Sequence, residues 1–281
     1  MRPTDSTLSP PTAATLCCAV AARACVRATA DGFANLKSAL TLPDGTTLPA
    51  ASLKHSDEQT VVALAAVLAA IQRYQLTKID FTHWAVLAAP RFLGRQALAH
   101  TLQRFAAEGA WGISPHVIPH RLLHAVSGTI SLTLHIHGPN FGIDGMPSDS
   151  GQLLATGLAL VNMGQVPGVW AVMTGWEPEP IPARQGTPAE ANPKAVCGAV
   201  ALALTPLTPN WQGLRLRYCP PSAGSSHRNG KLDRPETARP LFSLKAILDT
   251  LGDGEHDLAG ARWRLGGGGS LEFLTRDEPF S

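Results

Sequence analysis

An α/β fold is what this sequence predicts, and three observations carry the prediction. Short apolar runs such as "HWAVLAAP" (83–90) and "GVWAVMTGWE" (168–177) alternate with longer segments of helical period. Charged residues make up 16% of the chain against 44% hydrophobic, enough apolar material to bury helices against both faces of a sheet. Aromatic residues are 6%, modest for an all-β sandwich. The length of 281 residues and a mean hydropathy of +0.04 describe a globular chain of one or two domains.

Residues 1–13, "MRPTDSTLSPPTA", are polar and Pro-rich and read as a flexible lead-in. Residues 15–28 read as a first strand. Arg23 and Arg27 interrupt this apolar stretch, which lacks the charged start and cleavage site of a secretory signal. A short helix follows at 31–40, then a "PDG" turn at 43–45. Residues 56–76 carry the strongest helical pattern. Ser56 is the expected N-cap, Asp57 and Glu58 sit in the first turn, and Val62, Leu64, Val67, Leu68 and Ile71 form a wide apolar face.

The apolar run 83–90 predicts a buried strand. Residues 94–109 predict a helix closed by Gly109, with Leu98, Leu102 and Phe105 on one side. The segment 114–138 opens irregularly, because of two prolines, and then turns helical; its final "SLTLHIHG" alternates locally like a strand. A helix over 151–164, strands over 168–177, 196–206 and 214–220, a helix over 242–252 and a Gly-interrupted strand or hairpin over 261–277 complete the series. The stretches 178–195 and 220–241 read as connectors, and no internal repeat of 20–50 residues is visible.

Several function classes are disfavoured. A net charge of +2 without basic runs gives nucleic-acid binding little support. No stretch reaches the ~18–20 apolar residues that span a bilayer. The cysteines, at 17, 18, 25, 197 and 219, are odd in number and fit no zinc or redox spacing. They read as reduced thiols of a cytoplasmic protein, with Cys197 buried in its strand. His116, His120 and His124 share the i, i+4, i+8 face of a helix, but Pro119 breaks it and no acidic or thiol ligand adjoins, so no metal is expected. His135 and His137 share a strand face if that segment is extended and read as packed or rim residues, and Trp170 and Trp176 read as core or interface packing. "GGGGS" (266–270) lacks the Lys-Ser/Thr of a phosphate loop, and no cofactor is expected.

The stretch "GPNFGIDGMPSDSG" (138–151) is glycine-dense and opens onto the apolar run "QLLATGLALV". Together with the preceding "SPHVIPHRLLHAVSGTISLTLHIH", it resembles the segment of β-ketoacyl synthases that leads through "GPN" to the acylated cysteine. "VMTGWEP" resembles the family's strand after the nucleophile helix, "AVCGAVALALTP" its "EGA" strand, and "GGGGSLEF" its Gly-rich C-terminal turn. The resemblance covers residues 80–205 best. It implies a thiolase-like layered α/β/α fold with a shortened second half: residues 14–205 form a ketosynthase N-terminal-like half and 206–281 an abbreviated C-terminal half.

The resemblance also places Ser148 at the cysteine position, with Ser150 and Gly151 matching the Ser-Gly that follows, and His124 where the family carries an asparagine. The family's two second-half histidines have no counterpart in "SSHRNG" around His227 or "GEHDL" around His256. The chemistry of that exchange is decisive. A helix N-terminus lowers a thiol's pKa enough to form thiolate, whereas a serine hydroxyl needs a neighbouring base. Ser148, Asp149 and Ser150 are all favoured helix-capping residues.

The resemblance therefore implies a chain-length-factor-type subunit that pairs with an active ketosynthase, or with itself, and serves acyl carrier protein while shaping an acyl tunnel. His124, Asn140, Phe141, Met146, Asp149 and Ser150 are the expected pocket or interface residues, within a contact spanning 110–128 and 138–163. Two alternatives remain at this point. Ser148 could be the nucleophile of a stand-alone acyltransferase or hydrolase, or the chain could be a homodimeric scaffold for acyl carrier protein.

Overall fold

The computed structural model describes residues 15–114, 119–143, 149–178, 195–220, 241–251, 258–265 and 268–275. In chain order the elements are β1 (Leu16–Thr29), α1 (Phe33–Ala39), α2 (Glu58–Arg73), β2 (Ala85–Pro90), α3 (Arg95–Glu108), α4 (His124–Leu134) and β3 (Asn140–Gly142). They continue as α5 (Asp149–Asn162), β4 (Val169–Glu177), β5 (Val196–Thr205), β6 (Arg215–Cys219), α6 (Leu244–Leu251), β7 (Arg262–Arg264) and β8 (Ser270–Leu274).

Among the described residues, eight strands form one sheet in the order β3-β2-β4-β5-β1-β6-β8-β7. The β2 strand runs parallel to both β3 and β4; every other neighbouring pair is antiparallel. The strands after residue 205 add to the free side of β1 and so continue the same sheet.

Period-two alternation on the central strands sends side chains to two cores. On β5, Ala199, Ala201 and Ala203 face one core, while Val200, Leu202 and Leu204 face the other. The first core holds α2 and α4, with Val126, Ile130 and Leu134 of α4 spaced at one helical face. The second holds α5 and α6, through Leu153, Leu154, Leu158, Ile247 and Leu248. Ala63, Ala66 and Ala70 of α2 share this core with the β5 alanines, and the sixteen-residue helix packs on β5, β1 and β4 in the middle of the sheet. Helices on both faces of a mixed sheet realise the layered α/β arrangement expected from the sequence.

Several local expectations shift. Asp57, rather than Ser56, caps α2: it has extended backbone (φ −65°, ψ 154°) and its carboxylate accepts from the Gln59 N–H at 2.9 Å. The alternating "SLTLHIHG" is helix as far as Leu134, because the buried positions 126, 130 and 134 hold the helical period, and His135 ends it in the left-handed region at φ 54°. His135 and His137 therefore do not share a strand face. His120 precedes α4, so His120 and His124 are not on one helix; His116 lies outside the described residues. On α3 the side bearing Leu98, Leu102 and Phe105 faces outward, with Leu102 67% exposed.

The C-terminal segment forms the β7–β8 hairpin, and Gly268 (φ 92°) and Gly269 (φ 78°) supply its left-handed turn. Cys18 and Cys197 are buried, and none of the five cysteines forms a disulfide.

Candidate functional site

The predicted site residues that are described fall on α4, β3 and the start of α5. Gly138 is required there, because a Cβ would collide with the Trp84 carbonyl oxygen. Gly142 is required too, since its Cβ would stand 2.5 Å from the carbonyl carbon and oxygen of Leu123. These two close approaches press β3 onto β2 and onto the residue preceding α4. Asn140 ties the same elements together, its Nδ2 donating to Ser131 Oγ at 2.7 Å. Its Oδ1 is buried with no hydrogen-bond partner among the described residues.

His124 and Asn140 meet in a groove of about 460 Å³, joined by His120, His135, His137 and Leu132. Gly128 gives the His124 ring its bed: a Cβ there would stand 3.3 Å from Nε2. Among the described residues, no carboxylate and no Lys or Arg lines this groove. Phe141 lies half-exposed on β3, at the edge of the sheet.

Ser150 is buried in the first turn of α5. Met146, Ser148 and the Asp149 side chain lie outside the described residues, as do His227 and His256. Because α4 packs on one face of the sheet and α5 on the other, His124 and Ser150 belong to opposite layers. Among the described residues no group of three or more His, Cys, Asp or Glu is arranged to hold a metal ion, and no helix is long and apolar enough to cross a membrane.

A second, polar cavity of about 220 Å³ was not read from the sequence. Asp57, Gln59, Gly94, Arg95, Arg121 and Trp176 are among its walls. Arg121 Nη1 donates to Asp57 Oδ2 at 2.7 Å, and both side chains are largely buried. Burial pushes the Asp57 carboxyl above its ordinary range, and the neighbouring Glu58 charge adds to the rise; the Gln59 N–H and Arg121 oppose it.

Nearby, Gln59 links α2 to the ends of two strands. Its Oε1 accepts from Thr174 Oγ1 at 2.8 Å and its Nε2 donates to the Arg91 carbonyl at 3.0 Å. Arg91 in turn pairs with Glu177 at 2.8 Å. The available signal was a polar triplet, Asp57 to Gln59, opening an otherwise apolar helix, and an arginine directly after a buried strand.

The fold is that of the ketosynthases, a thiolase-like α/β architecture. Two solved structures illustrate the likeness. One is the type II PKS assembly AntDE:AntF, an acyl-carrier protein in complex with its ketosynthase bound to the hexaketide: 15% identity, TM-score 0.50, 68% of this chain and 62% of that chain covered. The other is the ishigamide ketosynthase/chain length factor: 11% identity, TM-score 0.52, 72% of this chain and 65% of that chain covered. The chain thus spans less than two thirds of either structure's chain. No family model matches it, and no curated protein matches it.

Proposed function

We propose that the chain is a ketosynthase-like subunit of chain-length-factor type. It pairs with an active ketosynthase, contributes to the wall of the acyl tunnel, and leaves condensation to the partner's cysteine. The pair works in the cytoplasm on substrates delivered by acyl carrier protein. One observation carries this reading. All five cysteines sit on β1, β5 and β6, and the stretch 138–151, which resembles the ketosynthase segment leading to the nucleophile, has none. An alcohol at Ser148 cannot be ionised by a helix terminus alone.

The surface supports pairing. Exposed large apolar residues gather between positions 98 and 141: Leu98, Leu102, Phe105, Trp111 (99% exposed), Leu122, Leu123, Leu132 (81% exposed) and Phe141. They belong to α3, the turn after it, residues 122–123 that lead into α4, α4 itself and β3. Large apolar side chains left exposed in such number favour an interaction surface. His124, Asn140 and Phe141 are assigned to this contact.

The test is co-expression with each cysteine-bearing ketosynthase of the same genome, followed by size-exclusion chromatography and product analysis. Co-elution, with product chain length changing when this protein is omitted, is expected. Separate elution with unchanged product length refutes the reading.

A further inference from the structure

Residues 119–123 enter α4 as an irregular strap, and two glycines receive its backbone. A Cβ on Gly94, the left-handed cap of α3, would stand 2.7 Å from Arg121 Cβ and 3.3 Å from its Cα. A Cβ on Gly142 of β3 would stand 2.5 Å from the Leu123 carbonyl group. The strap is therefore seated in two notches that only glycine leaves open.

Arg121 turns inward from this seat. Its guanidinium meets the Asp57 carboxylate, which is fixed as the N-cap of α2. Leu122 and Leu123 turn outward, 54% and 38% exposed. An ion pair this buried is weak evidence for stability, because desolvation offsets much of the attraction. What it supplies is a single position for the strap.

We propose that Arg121 is a positioning residue for partner recognition: its bond to Asp57 holds residues 119–123 so that Leu122 and Leu123 form a fixed apolar ridge for the partner ketosynthase, an assignment that rests on the pairing proposed above. A ridge ordered before contact spares the complex the entropy of ordering it on binding. Arg121 touches neither the substrate nor the partner; it acts through the two leucines.

The decisive measurement is a double-mutant cycle on the dissociation constant of the co-purified pair, with melting temperature followed in parallel. Arg121→Gln raises Kd about tenfold. Arg121→Lys, which keeps one charged N–H donor for Oδ2, returns Kd to within about threefold of the wild type. In a Leu122→Ser/Leu123→Ser background, Arg121→Gln adds less than about twofold, because the ridge it positions is already gone.

An unchanged Kd in Arg121→Gln, no recovery in Arg121→Lys, or fully multiplicative effects in the combined variant overturns the assignment and leaves the pairing standing. A wild-type chain that binds no ketosynthase overturns both. If Arg121→Gln does not fold, amide hydrogen exchange on the wild-type pair decides. Protection of amides 120–123 on complex formation supports the ridge, and unaltered exchange there refutes it.

Discussion

Replacing Asp57 separates two effects that the structure superimposes on one carboxylate. As the N-cap of α2 it accepts from the Gln59 N–H at 2.9 Å, a bond worth about 1 kcal/mol. As the partner of Arg121 it neutralises a largely buried guanidinium, and removing one member of such a pair costs about 3 kcal/mol at the low end of the measured range. Asp57→Ala loses the cap, about 1 kcal/mol, and because burial opposes the charged carboxylate the pair adds less than its full ~3 kcal/mol, so the melting temperature falls by between about 3 and 10 °C in a chain of this size.

Asp57→Asn keeps the capping acceptor and discards only the charge, so its cost depends on pH. Burial raises the Asp57 carboxyl above its unfolded value, so the folded state holds the proton more tightly than the unfolded chain does. The contribution from this group is complete below the unfolded pKa and is lost as pH rises through the folded one. Relative to wild type, Asp57→Asn is therefore least favourable near pH 4 and improves towards pH 7. Urea titrations of wild type, Asp57→Asn and Asp57→Ala at pH 4, 5.5 and 7 read this directly. An Asn variant whose deficit grows with pH would show that Arg121, and not burial, dominates the carboxylate, and the reasoning would fail.

Thr174→Val removes the donor to the buried Gln59 Oε1 and leaves that acceptor unsatisfied, so a loss of about 1–3 kcal/mol is expected in chemical denaturation. Gly138→Ala places a methyl group against the Trp84 carbonyl and is expected to yield insoluble or molten protein, seen as lost near-UV circular dichroism. Leu102→Glu, on the outward side of α3, leaves the melting temperature within about 1 °C and abolishes co-elution with the partner. Incubation with an acyl thioester and intact-mass measurement is expected to give no covalent adduct; an adduct that disappears in Ser148→Ala would return the chemistry to that serine.

The elements read most directly from the sequence were those whose burial is uniform. The β2 and β4 runs are apolar almost throughout, and α2 carries its face at helical spacing from Val61 to Ile71, so local pattern and final environment agree. The boundary of α4 was harder, because "SLTLHIHG" alternates by residue type while its burial follows positions 126, 130 and 134; packing against α2 decided the period. Ser56 was expected to cap α2 and Asp57 to sit in its first turn. Arg121, sixty-four positions away, engages the second of them, and a sequence window does not contain that partner. The periodicity of α3 announced an apolar side without saying what would cover it. His124 and Asn140 were named from the resemblance, but their shared groove with His135 and His137 depends on how α4 ends, which only the coordinates supply.

The alanine seam on β5 has a consequence for how this protein tolerates change. Ala199, Ala201 and Ala203 are fully buried in the core that α2 covers, so a larger residue at any of them is expected to push against that helix and whatever hangs from its first turn. In a saturation library, intolerance along this strand should therefore beat every second residue on size alone, while the intervening valine and leucines accept exchanges that conserve bulk.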